Sequence, residues 1–237
     1  MSYVVVDTES SGLPDYKKPA DAPGQPRVAA IAMIFVDKDL VVEETHSGLI
    51  RPDGWIFDDN SDAAKINGLT HRRLMEDGWP IKDLLRLYGE AIDSRRLVAG
   101  FNISHDLKML RAEMRYVGYP DRFMQTRHLC VMQGCRKIVD ARTADGRKKA
   151  PRLEEACAHF QIERDVAHTA LSDALDALAI LRRLRDLGEM PAYTDPYDRE
   201  PKKKSPAPRE RPQGRAYEEA VMQQQEDFLR GASEDGK

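Results

Sequence analysis

The sequence predicts an α/β domain, a sheet covered by helices, followed by a flexible C-terminal tail. Three observations carry this. Strand-like apolar runs crowd the stretch from Val4 to Ile50, helical periodicities around one short apolar strand fill Ile81 to Leu187, and after Gly188 the chain turns Pro-rich and charged.

The first strand is Val4 to Val6, three β-branched residues suited to a buried pleat. "LPDYKKPADAPGQP" follows, loaded with Pro, Gly and Asp, and reads as a surface loop. Val28 to Val36 and Val41 to Ile50 read as two more strands joined by the "DKD" turn at Asp37 to Asp39. From Ile81 on, Leu84, Leu85, Tyr88 and Ile92 recur at helical spacing, and Leu97 to Phe101 makes a short strand. Leu107, Leu110, Met114 and Val117 mark an amphipathic helix that Gly118 can terminate. Two further helices are expected, near Leu153 to Phe160 and from about Ala170 to Leu187. The domain is therefore placed at residues 1–188, a Pro-rich basic linker, expected to be disordered, at 189–215, and a short partner-binding segment at 216–237.

Composition bounds the rest. With 237 residues the chain suits one sizeable domain plus an appendage, and 41% hydrophobic against 32% charged residues describes a soluble globular protein. The longest apolar run, Val28 to Val36, falls far short of the ~18 residues of a membrane span, so no membrane association is expected. Met1 leads straight into a strand, without the basic and apolar regions of a signal peptide. Cys130, Cys135 and Cys157 lack paired zinc-site spacing and read as free thiols in a reducing compartment, so a cytoplasmic protein is expected. The formal charge of −3 conceals local bias: Arg136 to Arg152 is basic, Pro196 to Arg215 is basic, and Ala216 to Lys237 is acidic.

The chemistry starts in "VVVDTESSG". Side chains alternate along a strand, so Asp7 and Glu9 point the same way, and neighbouring carboxylates either raise a pKa or call for a cation. Asn102 and Asp106 follow the fourth strand, and His168 and Asp173 stand at the start of the last helix. Residues just past strand ends converge in open α/β sheets. Acids without a sulfur ligand favour magnesium or manganese over zinc, and two such ions ~4 Å apart clamp the attacking and leaving oxygens of a phosphodiester displacement. His168, mostly neutral at pH 7, could accept a proton from the attacking water. Each residue also has a plainer role: a solvated turn for Asp7 and Glu9, a helix cap for Asn102 or His168, a first-turn acid for Asp106.

The three stretches together resemble the exonuclease motifs of the DEDDh 3′→5′ exonucleases, the family of the bacterial proofreading subunit and of RNase T. "DTESSGLP" is similar to the first motif, "AGFNISHDLKML" to the second and "HTALSDALDAL" to the third, with its H-x4-D spacing; "KINGLTHRRL" resembles the segment between the first two. The resemblance runs from about Tyr3 to Leu187. It implies an RNase H-like mixed sheet with its second strand antiparallel and helices on both faces. It further implies two divalent cations, Mg2+ or Mn2+: Asp7, Glu9 and Asp173 hold the first, Asp7 bridges to the second, Asp106 supports the metal shell and His168 is the general base. The "SSGL" turn, Ser10 to Leu13 with Gly12 at its centre, would receive the 3′-terminal nucleotide.

Two departures stand out. The second motif of the family reads His-Asn-x-x-Phe-Asp, whereas here Phe101 and His105 exchange places while Asn102 and Asp106 keep their spacing. His105 then stands between a core filler and a polar contact to substrate. The loop from Pro14 to Pro26 is longer than in compact members, which bears on access for long or duplex substrates.

The expected activity is release of nucleoside 5′-monophosphates from single-stranded or frayed DNA 3′ ends. The alternatives are an RNA-directed enzyme of the same family and, in a different class, a non-enzymatic nucleic-acid or polymerase-associated module. That module should have lost an acid or the His, and none is missing. A receiver-like phosphate-accepting Asp leaves Glu9 unexplained. Arg147, Lys148 and Lys149 are candidates for sequence-independent phosphate contacts. The tail segment "AYEEAVMQQQEDFL" suits docking on a polymerase or a sliding clamp in replication or repair.

Overall fold

The sheet grows outward from β1 (Tyr3–Ser10). In the computed structural model, which describes residues 1–164 and 169–195, β1 pairs antiparallel with β2 (Val28–Val36) and parallel with β4 (Leu97–Gly100). With β3 (Val42–Leu49), β5 (His128–Cys130) and β6 (Tyr193–Thr194) the order is β3-β2-β1-β4-β5-β6. β3 is antiparallel to β2, β5 parallel to β4 and β6 antiparallel to β5, so the sheet is mixed. Parallel neighbours need crossovers. Helices α1 (Asp62–Asn67), α2 (His71–Asp77) and α3 (Lys82–Asp93) lie between β3 and β4, and α4 (Ile103–Tyr116) between β4 and β5. After β5 come α5 (Val131–Cys135), α6 (Leu153–His159) and α7 (Ala170–Asp186).

Strand alternation splits the core in two. Val5, Ala32 and Ile34 point to one face and pack with Leu178, Leu181 and Leu184 of α7. Val4, Val6, Ile31 and Met33 point to the other and pack with Leu85 of α3 and with Leu107, Leu110 and Met114 of α4. Each such fully buried aliphatic side chain contributes roughly 1.5–3 kcal/mol. The sheet is covered on both faces, the RNase H-like arrangement. β3 stays largely exposed, and Glu43 and Glu44 guard this edge against further pairing.

β1 runs further than its apolar residues alone indicate. Asp7 and Glu9 lie within the strand, paired with Ala32 and Ala30, and the register slips after Glu9 so that Ser10 meets Val28. Bulges of this kind recur beside active sites, where they re-aim side chains. At the end of β4, a Cβ on Gly100 would lie 2.8 Å from the Val6 carbonyl oxygen, so only glycine lets α4 start this close to β1.

Elements that the periodicity does not reveal are short. α1 and α2 are capped by Ser61 and Thr70, whose side chains accept from the Ala64 and Arg73 N–H groups, and Gly68 turns the chain between them at φ 65°. The fold also outlasts residue 188, where the sequence places the linker. Tyr193–Thr194 pair with β5, and Arg127 Nε donates to Asp195 Oδ2 at 2.6 Å in a nearly buried ion pair. The rest of the linker and the 216–237 segment lie outside the described residues. No helix among the described residues is long and apolar enough to cross a membrane. Cys130, Cys135 and Cys157 are all free thiols.

Candidate active site

Asp7 and Glu9 share the β1 face that carries Val5, the face packed by α7, and Asp173 lies in the first turn of that helix. One carboxylate oxygen from each of Asp7, Glu9 and Asp173 falls within 4.8 Å of the others. The first turn of α7 is held by a reciprocal cap: Thr169 Oγ1 accepts from the Ser172 N–H, and Ser172 Oγ accepts from the Thr169 N–H. Arg164 braces the same turn. Its Nη2 donates to Asp173 Oδ1 at 2.8 Å and its Nε to the buried Asp176 Oδ2 at 2.6 Å. Asp176 reads from sequence as an ordinary helix acid; the structure makes it the anchor of this brace.

Asp106 arrives from the opposite face. Thr8, one residue out of phase with Asp7 and Glu9, points toward α4, and Asp106 Oδ1 accepts from the Thr8 N–H at 2.9 Å and from Thr8 Oγ1 at 2.8 Å. The Asp7–Glu9–Asp173 cluster does not include it. It is still close enough that its charge disfavours ionisation of Asp7.

Burial and mutual repulsion push these acids up. Asp7 rises well above the usual carboxylate range, first through burial and then through Asp106, Glu9 and Asp173. Glu9 is pushed up to about 7 by burial and Asp173, against a hydrogen bond from the Asn67 side chain that favours its charged form. Asp106 is raised to about 7 by burial, opposed by the Thr8 bonds. Three hard oxygen donors in one cluster, with no thiolate among them, fit a divalent cation of the magnesium or manganese kind, whose charge would relieve this repulsion.

Beside Glu9 opens a groove of about 490 Å³. One wall is the β1 end and its turn, Thr8 to Leu13; the other is α1, with Ser61, Ile66 and Asn67; His105 contributes from α4. Leu13 and Ile66 are 89% and 71% exposed, two apolar side chains standing in solvent at its rim. Ser10 Oγ donates to the Gly12 carbonyl at 2.7 Å and lies 3.5 Å from His105 Nε2. Burial holds the His105 pKa down, which favours the neutral ring. Phe101, its exchange partner in the motif, is buried in the α7-side core.

Other expected residues stand apart. Asn102 occupies the N-cap position of α4 without making the cap bond and accepts from Ser104 Oγ at 3.3 Å. Arg147 and Lys148 lie on an exposed hairpin, Arg147 paired with Asp145, while Lys149 Nζ donates to both oxygens of Glu155. None of these four lines the groove. His168 lies outside the described residues. Sequence reasoning passed over Thr8, Asn67 and Arg164. For Asn67 a signal existed, the "KINGLTHRRL" segment; Thr8 and Arg164 act through contacts that no local pattern encodes.

The comparisons with known proteins agree with this architecture. A family model described as Exonuclease matches residues 4–181. E. coli exonuclease I in complex with a dT13 oligonucleotide superposes with a TM-score of 0.64 at 18% identity over 78% of this chain and 41% of that one. Exonuclease I from Methylocaldum szegediense gives 0.63 at 21% identity over 78% and 40%, and a product-bound exonuclease I gives 0.63 at 17% over 78% and 43%. At such identities the likeness is one of fold, and this chain spans about two fifths of the length of these structures. No curated protein matches the chain. With the family model running unbroken from β1 into α7, across every element that supplies an acid to the cluster, the chain belongs to the exonuclease family.

Proposed function

We propose that this chain is a metal-dependent 3′→5′ exonuclease that releases nucleoside 5′-monophosphates from single-stranded or frayed DNA. The observation that carries the reading is the convergence of Asp7, Glu9 and Asp173 beside a groove walled by the Ser10–Leu13 turn and α1. Two divalent cations, Mg2+ or Mn2+, held by Asp7, Glu9 and Asp173 with Asp106 in support, would polarise the scissile phosphate and neutralise the charge that develops during displacement. Leu13 and Ile66 would flank the terminal base, with Ser10, Gly12 and His105 at the sugar. Thr8 fixes Asp106, and Arg164 fixes the rotamer of Asp173. His168 is the general base in this reading, and a neutral imidazole at pH 7 suits proton acceptance from water.

DNA is favoured over RNA because structures of similar fold hold dT13 and dA16 oligonucleotides. The test is direct. Purified protein is incubated with 3′-labelled DNA and RNA of matched sequence, linear and circular, with and without magnesium. Mononucleotides from linear DNA only, and only with the metal, are expected. Cleavage of closed circles would exclude the directional reading, and preferential RNA hydrolysis the substrate assignment. His168→Ala should slow turnover by about 10² to 10⁴ and flatten the acidic limb of the rate profile. An unchanged limb would assign the base elsewhere. The segment after Asp195 is proposed as a tether to a polymerase or sliding clamp.

A further inference from the structure

One of the two walls of the terminal groove continues into a second cavity that the reaction does not use. Ser11, in the groove wall, donates its N–H to the Arg27 carbonyl and accepts the Arg27 N–H on Oγ, both at 2.9 Å. Arg27 in turn lines a separate cavity of about 350 Å³ between the start of β2, the loop after β3, the start of α3 and the end of α4. The loop after β3, which bears Trp55, is the one that leads into α1, the other groove wall.

Its chemistry is specific. The Arg27 guanidinium lies 4.1 Å from the centroid of the Tyr116 ring and 5.5 Å from that of Trp55. Its orientation is set by a paired contact, Nε to Glu113 Oε1 at 2.8 Å and Nη2 to Oε2 at 2.9 Å, with Glu113 only 1% exposed. Glu113 therefore neutralises Arg27 and holds its plane, leaving the aromatic rings as the adhesive surface. Tyr116 is 41% exposed and Trp55 half-buried, so both present ring area to solvent. At the mouth stand Arg51 and Lys82, both exposed and without an ion-pair partner among the described residues, against one exposed acid, Asp53. Flat rings with two uncommitted cations match a nucleotide, base against the rings and phosphate at the cations.

We infer that this cavity is an upstream subsite that stacks a base of the same single strand whose 3′ end occupies the Glu9 groove. The inference rests on the exonuclease reading and adds to it the feature that would hold the strand between cuts. Adjacency selects the strand over a free nucleotide, because the Ser11–Arg27 bonds place the two sites side by side on one strand corner.

The test uses the full chain carrying Asp7→Asn, so that DNA binds without being cut, with Trp79→Phe to leave Trp55 as the sole tryptophan. Oligothymidylates from two to twelve nucleotides are titrated in calcium. Affinity should rise with length, and Trp55 fluorescence should be quenched by the long strands but not by the dinucleotide. Adding Tyr116→Ala, or Arg51→Ala with Lys82→Ala, should remove roughly tenfold of the affinity gained with length. The charge pair should also lower the salt slope by about 1.4. Arg51 and Lys82 are exposed, so their replacement leaves the fold intact. Quenching by thymidine monophosphate alone would assign the cavity to free nucleotide and overturn the strand subsite, as would variants that retain the full length gain. A wild-type chain that cuts no DNA overturns the active-site reading and this one with it; a wild type that cuts, with variants indistinguishable from their parent, overturns the subsite alone.

Discussion

At the residue scale, the Asp7–Glu9–Asp173 cluster is held together against its own repulsion, and that has two measurable consequences. Asp7→Asn removes one negative donor while keeping size, so cation affinity and turnover should fall together by orders of magnitude while the melting temperature in chelator rises or stays level. A variant with normal turnover would remove Asp7 from the metal site. The second consequence concerns pH. Glu9 and Asp106 keep their protons up to about 7 in the folded chain, whereas in the unfolded chain they release them near ~4. Between those values the folded state binds more protons than the unfolded one, so without metal these groups lower stability as pH rises from about 4 to about 7. A cation that binds the ionised acids reverses the loss. The melting-temperature gain on replacing EDTA by excess magnesium should therefore be larger at pH 8 than at pH 5, and equal gains would contradict the electrostatic reading.

At the scale of elements, β1 works on both faces at once, presenting Asp7 and Glu9 to α7 and Thr8 to α4. Thr8→Val keeps the shape but removes the hydroxyl that donates to Asp106, which should cost about 1.5–3 kcal/mol at pH 8, read by urea unfolding. Glu113 ties α4 to the start of β2, accepting from the Arg27 side chain and from the Val28 N–H at 3.0 Å. Glu113→Ala strands a guanidinium that is only 17% exposed and should cost about 3–5 kcal/mol. A loss under 1 kcal/mol would mean that water replaces the carboxylate without strain. The long elements were legible in the sequence, β2 because it is one unbroken apolar run and α3, α4 and α7 because their apolar periodicity spans several turns. β5 was not: "HLC" is three residues long, and its pairing with β4 on one side and β6 on the other makes it a strand.

At the scale of the whole molecule, the domain is closed by β6 and not by the end of α7. Truncation after Gly188 removes β6 and the Arg127–Asp195 pair and should lower the melting temperature by several degrees. Truncation after Asp195 should leave both stability and turnover on short single strands unchanged, while abolishing co-purification with a replication or repair partner. If the second truncation also loses activity on free oligonucleotides, the tail belongs to the catalytic machinery and the tether idea falls.

Sequence alone determined the chemistry that is local or periodic. Asp7 and Glu9 share a face because a strand has a period of two, and Asp173 falls in the first turn of the helix that the sequence starts at about Ala170. Tertiary structure decided which of the distant acids meet. Asp173 joins Asp7 and Glu9 because α7 packs on the face that carries Val5, and Asp106 stands apart on Thr8 because α4 packs on the other. It also decided that Lys149 is committed to Glu155, that Arg164 spans Asp173 and Asp176, and that Asn67 reaches Glu9. A side chain's charge is written in the sequence, but its partner is set by the packing of elements far apart along the chain, and that packing is a property of the whole core.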